Sequence, residues 1–316
     1  MMSVPLVSIC CATYNHEEYI STALDSFLAQ EVDFPIEIIV NDDASTDRTA
    51  EIVREYERRY PGIVRGIYQT TNRYVTGVRP AVHILIPNAR GRYVALCEGD
   101  DYWTDPAKLK KQVQYLEAHD ECVLVAGGYI QKHVDGSEHV VIRKPPPKRK
   151  SGEAGFVFEL IDLTRGWLAQ TLTVMFRKAV LPPSWHDLYA HIRDTHLVYN
   201  LLKRGSGYYI SETLGVHRVH PGGVHSMKRG LINNRQFLVV AQELYEKHRD
   251  AYTRIEFVKA CMQMYRYLRA QGLISDGDVY QRQLLRTAVR IARTPREFRI
   301  ILGSLIPHRP LGAIAK

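Results

Sequence analysis

The sequence predicts an α/β fold: a Rossmann-like, mainly parallel sheet flanked by helices, followed by a helical C-terminal extension. Three observations carry this. Short apolar runs alternate with segments of helical periodicity from Leu6 to Gly127. Acidic clusters stand where two of those runs end, and open α/β sheets bind ligands at the carboxyl ends of their strands. From Leu231 onward the spacing is helical almost to the end.

The elements follow in order. Leu6–Ala12 is an apolar run broken only by Ser8, which suits a buried parallel strand. Thr13-Tyr14-Asn15-His16 reads as a loop, and Tyr19–Gln30 as a helix with Ile20, Leu24, Phe27 and Leu28 on one face. Ile36–Val40 is the second strand, and Asn41–Asp47 a polar turn rich in helix caps. Arg48–Tyr60 is a helix closed by Pro61-Gly62. Val64–Tyr68 is the third strand, Ala81–Ile86 a short helix, Tyr93–Cys97 the fourth strand, Ala107–His119 a helix and Cys122–Gly127 the fifth strand. Such alternation implies right-handed parallel βαβ crossovers. Arg143–Lys150 is basic and proline-rich, hence an exposed, extended connection. Beyond it the spacing predicts a helix near Phe156–Leu163, a strand near Thr171–Phe176, a helix from Asp194, and strand pieces at Tyr208–Ile210 and Leu214–Arg218.

Composition sets the bounds. The chain has 316 residues, 45% hydrophobic, enough for one large domain and an appendage. The five cysteines, Cys10, Cys11, Cys97, Cys122 and Cys261, are odd in number and lack metal-ligand spacing. Buried thiols and a cytoplasmic setting are expected. The first residues lack the basic start and cleavage site of a signal peptide, and no apolar run approaches the roughly 20 residues that span a bilayer. The net charge of +8 is concentrated at the end: from Gln281 on, Arg282, Arg286, Arg290, Arg293, Arg296, Arg299, Arg309 and Lys316 face one acid, Glu297.

The segment Cys97-Glu98-Gly99-Asp100-Asp101-Tyr102-Trp103 carries the chemistry. It places three acids within four positions, at a strand end and just before a helix start at Thr104-Asp105-Pro106. Carboxylates so close repel unless a cation sits between them, and a divalent ion carrying a phosphate is the economical solution. Asn41-Asp42-Asp43 is a second acidic turn in a matching position.

These motifs resemble family 2 glycosyltransferases. Val7-Ser8-Ile9, Thr13-Tyr14-Asn15, Tyr19-Ile20, Leu24, Ser26 and Gln30 are similar to that family's opening. Glu37–Asp47 resembles its second motif, with Ala44 where a glycine is usual. Cys97–Trp103 resembles its acidic metal motif in a bacterial variant with Glu98 for the first Asp. Asp194-Thr195-His196 resembles its later acidic motif, and His217-Arg218-Val219-His220 with Pro221-Gly222-Gly223-Val224 the closing block. The resemblance spans about residues 4–228 and rests on five motifs in the family's order. It implies a GT-A fold, with residues 1–228 as catalytic domain (1–129 binding the nucleotide, 151–228 on the acceptor side) and 229–316 as a basic helical extension.

The resemblance also implies roles. Ala12, Thr13, Tyr14, Asn15, Asp43, Arg79, Glu98, Gly99 and Asp100 would bind a nucleotide-diphosphate sugar, UDP- or dTDP-linked. Asp43 would accept from the imide N–H of the base, which suits an acceptor-only carboxylate. Asp42 reads equally as a helix N-cap. Asp101, Asp100 and His220 would hold Mn²⁺ or Mg²⁺, whose charge neutralises the departing diphosphate. Arg79 and Arg73 follow the third strand, where a cation helps bind diphosphate. Asp194, at a helix start, is the expected base, with Asp187 its competitor. His217 and His220 have two residues between them, so on a strand only one faces the site, and the resemblance implies His220. Gly222-Gly223 reads as a hinge, and Trp167 and Gln170 as acceptor contacts. The reaction implied is transfer of a sugar to a glycan, lipid-linked or protein acceptor, in polysaccharide assembly and inverting.

In the tail, Arg282, Arg286, Arg290 and Arg293 share one helical arc, opposite Leu284, Leu285, Ala288, Ile291 and Ala292. This profile suits a helix lying on anionic lipid at the inner face of the plasma membrane, or one packed on the catalytic domain. Three rival readings are disfavoured. A sugar nucleotidyltransferase would show glycine and basic residues in an N-terminal phosphate loop, and residues 6–20 have none. Nucleic-acid binding is disfavoured because acidic strand ends repel phosphate. A non-catalytic nucleotide-sugar scaffold would not need Asp101, Asp194 and His220.

Overall fold

A computed structural model describes residues 4–147, 149, 152, 154–223, 230–274 and 278–305. The chain divides into two compact units, Met1–Ser226 and Met227–Lys316. The domain boundary expected at 228, Val224 of the closing block, Lys148 and Lys150 of the basic connection, and Arg309 and Lys316 of the tail lie outside the described residues.

In the first unit, β1 (Val7–Thr13), β2 (Ile36–Asp42), β3 (Val64–Tyr68) and β4 (Tyr93–Leu96) form the expected parallel core. The runs of β1, β2 and β4 are buried on both faces, with Ile9, Cys11, Ile38, Val40 and Ala95 fully enclosed. The helices α1 (Ile20–Leu28) and α2 (Thr49–Arg59) connect them, and a π-helical turn at Ala81–Leu85 runs into α3 (Ile86–Asn88). Next come β5 (Tyr102–Trp103), α4 (Lys108–Ala118), β6 (Cys122–His133), β7 (Glu138–Val141), β8 (Gly155–Phe158), β9 (Met175–Arg177), α5 (Asp194–Leu202) and β10 (Ser206–Val219). The ten-stranded sheet runs β3-β2-β1-β4-β9-β6-β10-β5, with β7 on β6 and β8 on β10. Antiparallel β9 joins the parallel core to the parallel β6–β10 pair.

The pairing register aligns the two acidic turns. Thr13 pairs with Asp42, and Cys10 with Leu96. Just past the strands, Asp43 N–H donates to Thr13 O at 3.0 Å, and Gly99 N–H to Ala12 O at 2.9 Å. Both turns are therefore fastened to the carboxyl end of β1.

The structure departs from the sequence reading in five places. Phe156–Leu163 is not a helix: Gly155–Phe158 pairs antiparallel with β10, and a 3-10 turn follows at Leu160–Arg165. The strand expected at Thr171–Phe176 begins only at Met175, after a 3-10 turn at Thr171–Thr173. β6 runs on to His133, and the two expected pieces near Tyr208 and Leu214 are one strand, β10, interrupted by bulges. β5 was not anticipated, being two residues held against Gly215 and Val216. A side chain on Gly215 would meet Tyr102 O at 2.6 Å, so this close pairing requires glycine there.

Behind the turn, Trp103 donates its indole N–H to Leu172 O at 2.7 Å and packs on Phe27. Lys108 is fully buried with its Nζ 3.9 Å from the Trp103 ring and 2.8 Å from Gln112 Oε1. Burial pushes this ammonium down to about 7. All five cysteines are buried and unpaired.

The second unit is helical: α6 (Gly230–His248), α7 (Ala251–Ala270), α8 (Val279–Ile291) and α9 (Pro295–Leu305). α7 is its centre, enclosing Val258, Cys261, Met262, Met264 and Tyr265. The apolar arc of α8 is core: Leu284, Ala288 and Ile291 pack in the same cluster as α7. Its arginines Arg282, Arg286 and Arg290, and Arg293 just past its end, are exposed. The apolar face expected to meet lipid is thus consumed by the fold, while the basic arc faces outward.

Candidate active site

The end of β1 is the focus. Gly99 sits against Thr13, where a Cβ would come within 2.7 Å of Thr13 Oγ1, so the backbone of the acidic turn lies directly on β1. β5 then turns the chain antiparallel to β10, which brings the closing block onto the acids. Arg218 N–H donates to Asp101 Oδ1 at 2.8 Å, and Arg218 Nη1 to Asp100 O at 2.8 Å. His217 Nδ1 lies 3.2 Å from Asp101 Oδ2. His220 Nε2 lies 3.1 Å from Asp100 Oδ2, and His16 Nε2 lies 3.6 Å from the same oxygen.

Both histidines of the block therefore face the site. Alternation fails because β10 ends at Val219, so His220 is past the strand. His16, from the β1 loop, is a third imidazole that sequence reasoning left without a role. Only the register of β5 on β10 reveals these partners, and a two-residue strand has no periodicity to read.

The electrostatics follow from burial and proximity. Burial raises the Asp101 carboxyl, opposed by the His217 hydrogen bond and reinforced by Asp100. Glu98 is pushed up to about 8 by burial and then by Asp101 and Asp100. At Asp100 burial works the same way, but the His220 hydrogen bond and the His16 charge outweigh it and the carboxyl is held low. His217 loses basicity to burial and regains more from Asp101, so its imidazole is held high.

The second acidic turn is built differently. Asp43 is buried, and its two oxygens accept Arg73 N–H at 3.0 Å and Tyr74 N–H at 2.9 Å. Asp43 thus fixes the loop after β3. Asp42 is not the helix N-cap: it accepts Ser45 N–H at 3.2 Å within the turn, while Asp47 Oδ1 accepts Thr49 N–H at 2.9 Å where α2 begins. Asn15 Oδ1 accepts Thr46 N–H at 2.8 Å, tying the β1 loop to this turn. Ala44 adopts φ +62°, the left-handed conformation that explains why glycine is usual there. Ala12 and Thr13 end β1, and Tyr14 is exposed beside them.

Arg79 stacks on Tyr74, its guanidinium 4.3 Å from the ring centre, and Nη1 donates to Tyr74 O at 3.2 Å. Burial lowers its pKa. Arg193 Nη1 donates to Tyr74 Oη at 3.2 Å, so a second, unanticipated cation joins this corner. Arg193 immediately precedes Asp194, the first residue of α5, which is exposed and accepts its own helix's Thr195 N–H at 2.8 Å. Asp194 is therefore linked to the Asp43 loop through Arg193 and Tyr74, and it makes no contact with the acidic turn among the described residues. Arg73 contributes its backbone to Asp43. Asp187 pairs with His186 at 3.0 Å. Trp167 and Gln170 line a narrow cleft with Tyr129 and Arg143. Gly223 N–H donates to His220 O at 3.0 Å, so Gly222-Gly223 forms a turn.

Several buried polar atoms at this strand end have no protein partner: Thr13 Oγ1, His16 Nδ1, Asp42 Oδ1 and Arg79 Nε. Orphaned buried groups are rare and costly, and their concentration here marks a place for a polar ligand. Among the described residues no three His, Cys, Asp or Glu side chains already converge as a metal cage. The donor set nevertheless suits a hard divalent ion, with carboxylate oxygens from Asp100 and Asp101 and imidazoles from His217 and His220.

Comparison with known proteins agrees with this architecture. Residues 8–168 match the family model described as Glycosyl transferase family 2. An uncharacterized protein of Mycobacterium tuberculosis is 39% identical over 220 residues, covering 69% of this chain and 60% of that protein. The chain thus spans about three-fifths of that relative's length. Residues 1–349 of S. aureus TarS, in complex with UDP-GlcNAc, share the fold with a TM-score of 0.61 at 19% identity, covering 93% of this chain and 81% of that one. The mannosyltransferase PcManGT from Pyrobaculum calidifontis, in complex with GDP-Man and Mn²⁺, gives a TM-score of 0.54 at 18% identity, covering 95% and 86%. The GT-A architecture expected from the sequence is the one observed.

Proposed function

Because the chain belongs to glycosyl transferase family 2, we propose that it moves a sugar from a nucleoside-diphosphate donor, UDP- or dTDP-linked, to an acceptor hydroxyl. The observation that carries this reading is the pairing, at the end of β1, of a crowded carboxylate turn with orphaned polar atoms on Thr13, His16, Asp42 and Arg79. A phosphate-bound cation relieves the first, and a nucleotide supplies partners for the second. TarS with UDP-GlcNAc and PcManGT with GDP-Man and Mn²⁺ support the class of ligand.

Asp43 and the loop it fixes would present Ala12, Thr13, Tyr14 and Asn15 to the base and ribose. Asp101, Asp100 and His220 would hold Mn²⁺ or Mg²⁺, with Glu98 and His217 behind them. A bound divalent ion supplies charge to the departing diphosphate. Arg79, joined by Arg193, attracts the same anion. Asp194 takes the acceptor proton, and its position at the start of α5 is what makes it effective. Attack opposite the leaving group inverts the anomeric centre. The acceptor is a glycan, lipid-linked glycan or protein in polysaccharide assembly. The five buried, unpaired thiols support a cytoplasmic setting. Among the described residues no helix is long and apolar enough to cross a membrane.

A nucleotide-sugar panel tests this directly, reading nucleoside-diphosphate release with Mn²⁺, Mg²⁺ or EDTA. Release by wild type that disappears in EDTA and in Asp101→Ala is the expected result. Release unaffected by both would remove the metal and Asp101 from the account.

A further inference from the structure

We propose that the outer surface formed by α8 and α9 docks on an anionic lipid bilayer, with Phe298, Leu302 and Leu305 entering the headgroup boundary and the arginines of α8 lying on lipid phosphate. This face belongs to the second unit alone, so its test is separate from that of the donor site.

The inward side of α9 carries Glu297, Ile301 and Ser304, all buried. Glu297 is fully enclosed, accepting Arg254 Nε at 2.6 Å and Thr294 N–H at 2.7 Å, and also Arg293 N–H. On the flank beside this buried side the helix is apolar and open: Leu302 is 61% exposed, Phe298 42% and Leu305 40%. Spacings of four and three put these on one stripe. A soluble helix buries its apolar stripe, and here that stripe is wider than the core covers: Ile301 is buried with Ile300 packed beside it, while Phe298, Leu302 and Leu305 stay open.

The charge around the stripe identifies the partner. Glu297 is the single acid between Val279 and Leu305, and its burial leaves no carboxylate on the outer face of these helices. Arg286, Arg290, Arg293 and Arg299 are exposed, and their guanidinium groups have no carboxylate partner among the described residues. α8 and α9 both pack on α7 and touch each other, so their exposed residues lie on neighbouring parts of this unit's surface. An apolar stripe bordered by unneutralised arginines fits a surface that is anionic at its skin and apolar beneath. A nucleic acid would pair the arginines and leave Phe298, Leu302 and Leu305 in water. With no helix able to cross a bilayer among the described residues, the mode is lying on the surface.

The test uses the full chain in co-sedimentation with vesicles of phosphatidylcholine containing a quarter phosphatidylglycerol, against pure phosphatidylcholine. Two double variants at exposed positions, Phe298→Glu with Leu302→Glu and Arg286→Glu with Arg290→Glu, are checked for native helicity by circular dichroism. Wild type should bind the anionic vesicles, lose binding as salt rises, and bind pure phosphatidylcholine weakly. Each double variant should reduce partition on the order of ten-fold or more while remaining folded. Absence of binding to anionic vesicles, equal binding to both vesicle types, or full binding by either folded variant would overturn the proposal. So would self-association through this stripe that excludes vesicle binding.

Discussion

The sheet of the first unit buries carboxylates at both of its ends, and the two ends behave oppositely. At the amino end Glu37 is 1% exposed, accepting Ser8 Oγ at 2.5 Å, Arg90 N–H at 2.7 Å and Arg90 Nε at 2.7 Å. Burial raises its pKa, but these donors outweigh burial and hold it low. At the carboxyl end Glu98 faces Asp101 and Asp100, and is pushed up to about 8. Burial is common to both, and partners differ. A carboxylate ringed by aimed donors is scaffold, whereas carboxylates aimed at one another wait for a positive charge from outside.

The sharpest way to break this contrast is to neutralise one acid at each end. Asp101→Asn should lower kcat/KM by roughly 10²–10³-fold, the scale of losing one preorganised electrostatic element, with little change in thermal midpoint. Steady-state kinetics beside calorimetric unfolding reads both. Glu37→Gln should do the reverse, costing about 1–3 kcal/mol of stability because Arg90 is half exposed and only part of a buried-pair penalty applies. Nucleotide affinity should hold. The acid limb distinguishes the two further. The depressed Glu37 pKa contributes stability above the unfolded carboxyl range that is lost as pH falls through the folded value. Denaturant melts at falling pH should show that loss in wild type and a shallower slope in the variant.

Lys108, behind the acidic turn, sharpens the comparison from the cationic side. Its folded pKa is about 7 against 10.5 when free. Between those values the unfolded chain holds a proton that the folded chain does not, so stability should rise with pH by up to about 1.4 kcal/mol per unit. Lys108→Met should flatten urea-melt stability across that window. The smallest effect is expected at Ala44. With φ at +62°, Ala44→Gly should relieve left-handed strain and stabilise by a few tenths to about 1 kcal/mol, net of glycine's greater freedom when unfolded.

Much of the parallel half was legible. The β1 and β4 runs are almost wholly apolar, so burial on both faces is written in the residues themselves. The second half was harder for a physical reason. Phe156, Phe158, Leu160 and Leu163 fit both helical and strand spacing, and only pairing of Gly155–Phe158 with β10 decides between them. The acids of the candidate site were visible because they cluster in sequence. His16, Arg193 and the double engagement of His217 and His220 were not, because each partner lies far along the chain and is delivered by the two-residue β5 or by the Tyr74 loop. In α8 the period was correct, but a helical wheel cannot say whether its apolar arc meets lipid or α7.

The most direct test of the central claim is titration calorimetry of UDP, dTDP and GDP into wild type and Asp101→Asn, with and without Mn²⁺. The account predicts binding of a uracil or thymine nucleotide by wild type that requires Mn²⁺ and is lost in the variant. No metal-dependent binding of any of the three by folded wild type would contradict it.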